Sequence, residues 1–291
     1  MINIEGSGRF SVYAELVKYK LSLAVTFSSV TGYFIFHKSP DIALLFLSIA
    51  IFLLSSGAAA LNQYTEREFD TLMARTKNRP LPLEKIGKKA ALMISLILLS
   101  TGIIFLLLTG IFPALLGLFN VVLYNLVYTR LKRITSFAII PGAVVGAVPP
   151  IIGYTAAGGI DPQSEIILFS LFMFLWQLPH FWLIIIKYRN EYAAAGFKTF
   201  SGTVTEKQAR IIVFLWVFFS TLFLFCFSYF GPVFIKQINY ALVPLNFFFI
   251  LLFYGLLFKY DHKRDVRGPF ILINSFSLLI MILFIINSFL K

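Results

Sequence analysis

Asn62, Glu66 and Asp70 stand four residues apart in the stretch LNQYTEREFDTLMARTKNRP, Leu61 to Pro80. On a helix that spacing puts all three on one face, each step rising about 6 Å, so their oxygens form a ladder about 12 Å long. Oxygen donors of this kind suit Mg2+, which keeps several waters and is held by one or two carboxylates together with substrate phosphates. Arg75, Lys77 and Arg79 follow directly, and guanidinium and ammonium groups are the usual phosphate partners. An acidic ladder followed by a basic cluster is the layout that would hold a Mg2+–pyrophosphate complex. The plainer reading of the same residues is a solvated loop stitched by i,i+4 pairs.

A second polar stretch weighs against the plainer reading. In LWQLPHFWLIIIKYRNEYAAAG, Leu175 to Gly196, His180 sits in apolar surroundings and Glu191 follows eleven residues later. At 100° per residue, eleven residues return to within about 20° of the same face, roughly 16 Å along the axis. Glu191 is therefore expected to guard the mouth of a cavity that His180 lines, facing Glu66 and Asp70. Polar residues inside apolar spans usually face the bundle interior and mark function. The alternative for His180 is a structural hydrogen bond, with Gln177 as partner. Trp176, one turn earlier, reads either as packing or as part of the cavity, and Pro179 is expected to kink the helix. A third stretch, YTRLKR from Tyr128 to Arg133, adds a phenol and further cations, Lys132 among them. Lys18 and Lys20 either snorkel to a membrane interface or add to the phosphate site.

The elements that must position these groups follow from composition. Of 291 residues 59% are hydrophobic and 13% charged, against about 25% charged in a soluble domain. The chain reads as an all-α polytopic membrane protein forming a single domain over residues 1–291. A span needs about 20 apolar residues; on that rule nine lie near 17–37, 42–64, 89–109, 111–129, 136–157, 164–187, 209–231, 239–258 and 269–290. Met1 to Ser11 is polar and the apolar run from Leu21 exceeds an h-region, so no cleaved leader is expected. Of the 25 Lys and Arg, all but Lys38, Lys236 and Lys291 fall on one side of such a bundle. The positive-inside rule then puts the N-terminus and loops 2–3, 4–5 and 6–7 in the cytoplasm. The net charge of +12 is thus a matter of topology first, and no nucleic-acid partner is implied. The lone Cys226, in an apolar run, excludes a disulfide framework. The segment IIPGAVVGAVPPIIGY, Ile139 to Tyr154, is read as a packing and cavity-shaping element: Gly142 and Gly146 permit close helix contact, and Pro149-Pro150 should bend or break the helix.

These residues resemble the UbiA superfamily of intramembrane prenyltransferases, and within it the branch that farnesylates haem. The family's first motif, NxxxDxxxD, is matched by Asn62, Glu66 and Asp70, with Glu for the middle Asp. MARTKNRPLP, YTRLKRIT, GAVVGAVPPIIGY and FLWQLPHFW…KYRNEYAAAGF resemble that branch in order, from about Tyr13 to Phe200. Tyr188, Glu191 and Tyr192 resemble a YxxDY variant of the second acidic motif, again with Glu for Asp. The resemblance implies a helical bundle around a central cavity in a bacterial inner membrane. It implies Mg2+ as cofactor, with Asn62, Glu66, Asp70 and Glu191 as ligands and Tyr188 beside them. Arg75, Lys77, Arg79, Tyr128 and Lys132 would hold diphosphate, and His180, Trp176 and Gln177 the acceptor. Farnesyl diphosphate would ionise, the 2-vinyl group of haem b would attack C1 and water would add, with Trp176, Phe181 and Trp182 available to face the cation. The product would feed haem-copper oxidases, with a haem A synthase as a partner. The alternatives are a sister enzyme acting on a quinone precursor, against which WQLPHFW speaks, and a non-catalytic haem or lipid transporter. Similar placement of polar motifs at the ends of spans 2 and 6 hints at the internal repeat that transporters show, but clustering at one membrane face suits a phosphate site better.

Overall fold

The computed structural model describes residues 6–200, 203–230, 233–259 and 265–291. The described chain is helical throughout: α1 (Gly6–Leu16), α2 (Tyr19–Phe36), α3 (Ile42–Thr71), α4 (Lys88–Leu107), α5 (Ile111–Val122), a π-helical turn (Leu123–Tyr128), α6 (Thr129–Ile134), α7 (Ile139–Ala156), α8 (Ser164–Lys187), α9 (Arg189–Ala194), α10 (Glu206–Phe230), α11 (Lys236–Tyr254) and α12 (Arg267–Leu290). Among the described residues eight helical runs are long and apolar enough to cross a membrane. The first expected span, α2, is not among these eight; it is 18 residues long and carries Ser22, Ser28, Ser29 and Thr31, all buried. His262, Lys263 and Arg264 of the expected loop 8–9 lie outside the described residues.

Small residues set how closely the helices approach. A methyl group on Gly153 of α7 would stand 1.8 Å from the Ser29 carbonyl oxygen of α2, and one on Gly32 of α2 would stand 1.9 Å from the Pro150 oxygen. The two backbones touch, as at small-xxx-small membrane contacts. Gly57 of α3 meets the backbone of α4, and the Ser95 hydroxyl donates to the Gly57 carbonyl at 2.9 Å. With α4 covering one side of α3, the face bearing Asn62, Glu66 and Asp70 turns inward. All three are buried.

α7 is continuous helix through Pro149 and Pro150, so the chain does not break there, and α8 is continuous through Pro179. Pro149 cannot donate to the Val145 carbonyl, and that carbonyl accepts instead from the Asn120 side chain of α5 at 3.2 Å. Apolar clusters complete the bundle. One joins α8 to α10, α11 and α12 through Phe169, Phe253 and Phe284; the other joins α2, α3, α4 and α7 through Tyr33, Leu47 and Ile152.

Candidate active site

The acidic ladder stands in the last turns of α3, which runs to Thr71 rather than ending with the apolar run. Its oxygens are not left bare. Lys132 donates to Glu66 Oε2 at 2.5 Å, and the Asn62 amide donates to the same oxygen at 3.1 Å. Arg79 donates to both oxygens of Asp70 at 2.9 and 2.8 Å. Asn62 also donates to the Thr129 hydroxyl, which itself donates to the Tyr124 carbonyl at 2.8 Å. That carbonyl lies in the π-helical turn, the local widening that stacks the rings of Tyr124 and Tyr128 at 5.9 Å. π-bulges mark functional sites because they shift the side chains that follow.

The chain between α3 and α4 folds over this end. Thr76 ties back to the Asp70 carbonyl at 3.0 Å. Arg75 reaches across to α9: its backbone N–H donates to Glu191 at 3.0 Å, its guanidinium donates to the Tyr192 hydroxyl at 3.1 Å, and it lies 5.0 Å from the Tyr188 ring centre. Burial raises the Tyr192 phenol above its usual range. Residues from all three expected loops therefore meet at one mouth.

Below the mouth lies a cavity of about 360 Å³. Asn62, Glu66, Asp70, Arg75, Arg79, Tyr128 and Lys132 line its polar end, and Val25, Ile51, Leu54, Pro149 and Ile152 its apolar depth. Gln177, His180, Phe181, Ile184 and Ile185 line the α8 wall. His180 lies 4.7 Å from the Phe270 ring. Gly142 makes room for Tyr128 and Phe181, and Gly146 for Gln177, so α7 shapes the cavity as expected.

The chain matches the model of the UbiA prenyltransferase family over residues 24–284. The chain belongs to that family. A curated relative, the protoheme IX farnesyltransferase of Flavobacterium johnsoniae, is 32% identical over 289 residues, covering 97% of this chain and 96% of the relative. The solved structure of a digeranylgeranylglyceryl phosphate synthase superposes with a TM-score of 0.76 at 17% identity, covering 97% of this chain and 99% of that one. A UbiA homolog from Archaeoglobus fulgidus bound to DMAPP and Mg2+ superposes with a TM-score of 0.71 at 15% identity, over 95% and 97% of the two chains. As in a UbiA family member, the chain is a multi-pass integral membrane protein.

Several expected site residues stand elsewhere. Trp176 is buried against α12, donating to the Ile273 carbonyl at 3.1 Å and stacking on Phe276, because it falls about 100° off the stripe of α8 that faces the cavity. Trp182 is likewise buried, stacked on Phe200. Lys77 is exposed and does not line this cavity. Glu191 does not join Glu66 and Asp70. α8 ends at Lys187, Tyr188 leaves helical geometry, and α9 sets off from there, so the count of eleven residues along one axis fails. The Glu191 carboxylate caps the Arg75 N–H, and Tyr188 reaches the site only through Arg75. Among the described residues no three His, Cys, Asp or Glu side chains form a ready metal cage. The ladder nevertheless fits Mg2+: Glu66 Oε1 is buried at the cavity wall without a hydrogen-bond partner, and one or two carboxylates suffice when phosphates and waters complete the shell.

Lys18, Tyr124, Tyr192 and Lys198 are among the further residues that line the cavity. Of these, Tyr124 and Lys198 carried no expected role. Lys18 stands at the break between α1 and α2 with a left-handed backbone (φ 47°). The Gln63 amide of α3 holds that break, donating to the carbonyls of Glu15 and Leu16 at 3.0 and 2.8 Å. Of the two readings of Lys18, the structure favours a place at the site over snorkelling.

Proposed function

We propose that this protein transfers the farnesyl group of farnesyl diphosphate to the 2-vinyl group of haem b, in a bacterial inner membrane, forming haem O. One observation carries the reading: a single cavity joins a mouth of carboxylates and cations to an apolar depth with His180 on its wall. The family membership and the protoheme IX farnesyltransferase name of the Flavobacterium relative support it, as do DMAPP and Mg2+ in the Archaeoglobus homolog.

The cations at the mouth, Arg75, Arg79, Lys132 and Lys18, attract and orient the diphosphate. The apolar depth takes the prenyl tail and excludes water. Asn62, Glu66 and Asp70 would hold Mg2+, which when bound neutralises charge on the leaving pyrophosphate. The C1–O bond breaks with its electron pair leaving on pyrophosphate. The terminal vinyl carbon of haem bonds to C1, the other vinyl carbon becomes cationic, and water adds there and releases a proton. Phe181, at the cavity wall, offers a π face to the allylic cation. Lys132 and Arg79 release their carboxylates to meet the incoming charge, so the same groups balance the site empty and filled. His180 meets the macrocycle through iron or through its polar edge.

Purified protein in lipid nanodiscs, given farnesyl diphosphate, Mg2+ and haem b, should release pyrophosphate and yield a haem heavier by one farnesyl and one hydroxyl group. Product from 4-hydroxybenzoate instead would establish the quinone-precursor reading. Haem or lipid movement across the membrane with no pyrophosphate release would establish transport.

A further inference from the structure

We propose that Lys198, with the hydroxyls of Thr135 and Ser136, forms a subsite for the carboxylate groups of the acceptor, separate from the cations that serve the diphosphate. This rests on the reading above that the acceptor is a haem.

The cations lining the cavity divide by what surrounds them. Arg79 and Lys132 sit on the carboxylates of the ladder, Arg75 is tied to α9, and Lys18 stands within electrostatic reach of Glu66, Arg75, Arg79 and Lys132 at the ladder end. Lys198 lines the same cavity without an ion pair among the described residues. It stands beside Thr199, and Thr135 and Ser136 line the cavity from the turn before α7.

The loop that carries Lys198 is built. The Phe197 N–H donates to the Tyr192 carbonyl at 3.0 Å, and the Thr199 N–H to the Phe197 carbonyl at 3.0 Å. The Phe200 ring stacks on Trp182 at 5.1 Å, and Phe137 meets the Phe200 edge at 5.5 Å. The aromatic contacts thus fix the 197–200 loop and the 135–138 turn against each other and against α8. Phe181, Ile184 and Ile185 continue the α8 wall beyond His180, giving an apolar strip with an imidazole on it and a cation with hydroxyls at the mouth.

A haem has the matching pattern: a flat apolar macrocycle, a central metal, and two propionates on one edge. Its vinyl groups lie on other edges. Holding the propionates at Lys198 leaves a vinyl edge free to turn toward the ladder. A prenyl diphosphate carries its anionic groups at one end only, so with that end held at the ladder the subsite is left to the acceptor.

The test compares haem b with its dimethyl ester, which keeps the macrocycle and iron and lacks the carboxylates. Lys198→Gln should bind haem b about five-fold more weakly by Soret titration, the size of one partly exposed ion pair, and raise the KM for haem b similarly. The dimethyl ester should bind parent and variant alike, the KM for farnesyl diphosphate should not move, and Lys198→Arg should restore haem b affinity. Equal losses for acid and ester, or a raised KM for farnesyl diphosphate, would overturn the subsite. If parent protein binds and farnesylates haem b and Lys198→Gln matches it throughout, the subsite alone fails. If parent protein neither binds nor farnesylates haem b, the haem reading fails and takes the subsite with it.

Discussion

At the scale of single residues, the carboxylates of the ladder are already neutralised. Each ladder carboxylate already holds a cation, Glu66 with Lys132 and Asp70 with Arg79. This bears on what substitution does. Removing the Asp70 side chain would leave the Arg79 guanidinium without its partner, and breaking a buried pair costs about 3–5 kcal/mol. Asp70→Asn keeps the shape and one acceptor, so its thermal midpoint should stay within a few degrees of the parent's. Losing the anionic oxygen removes leaving-group stabilisation worth several kcal/mol, so pyrophosphate release should fall about 10³-fold. Stopped-flow or endpoint pyrophosphate release beside a melting curve checks both halves; near-parental release would remove Asp70 from the metal set. His180→Ala should weaken haem binding in a Soret titration about ten-fold while leaving farnesyl diphosphate affinity in place, since an isoprenoid chain has no use for imidazole. Unchanged haem affinity and Soret position would make His180 a structural residue. The ladder was legible because i,i+4 spacing inside one helix is a local property. Trp176 stayed open between packing and cavity in the sequence because one residue of phase on α8 separates the cavity wall from the core, and hydropathy is equal on both sides. Lys198 left no signal, since a loop lysine looks the same in solvent and at a cavity mouth.

At the scale of elements, the helices were readable and their irregularities were not. Apolar runs and bounding charges place α8 at Ser164–Lys187, as its sequence span suggests. The π-helical turn at Leu123–Tyr128 has no such mark, because it is maintained by Thr129 and Asn62, partners from different helices. Proline shows the same limit. The pair in α7 suggested a bend or break; the helix does not break, and Asn120, 25 positions earlier, satisfies the Val145 carbonyl that Pro149 orphans. An unpartnered carbonyl in a membrane interior costs about 1–3 kcal/mol or more. Asn120→Leu, close in volume, should therefore lower the thermal midpoint in detergent by several degrees. Pairing it with Pro149→Ala should recover much of that loss, because alanine restores the donor within α7. No recovery in the double variant would mean that Asn120 acts by lining the cavity rather than by holding α7.

At the scale of the whole molecule, charge and hydropathy set the arrangement in the membrane, and the fold then converts that arrangement into a site. The loops expected on the cytoplasmic side are the ones that meet: the chain after α3 contacts α9 through Arg75, and α6 contacts α3 through Lys132. Cations concentrated there by the positive-inside bias are thus recruited to carboxylates and to the cavity mouth, so one asymmetry in the sequence serves both orientation and binding. Which residues cross-pair was beyond the sequence, because pairing depends on how α3, α6 and α9 converge. The orientation itself has a direct check. Lys38 and Lys77 are both exposed, Lys38 between α2 and α3 and Lys77 after α3, and neither lines the cavity. The native Cys226 lies within α10. In a Cys226→Ala background, Lys38→Cys should react with a membrane-impermeant maleimide added to intact spheroplasts. Lys77→Cys should react only after the membrane is opened. The proposed reaction gives the reason for that sense: a prenyl diphosphate is a charged cytosolic substrate, so under that reading the mouth walled by Arg75 and Arg79 should open there. Labelling of Lys77→Cys in intact spheroplasts would invert the molecule and leave its diphosphate site facing a compartment without substrate.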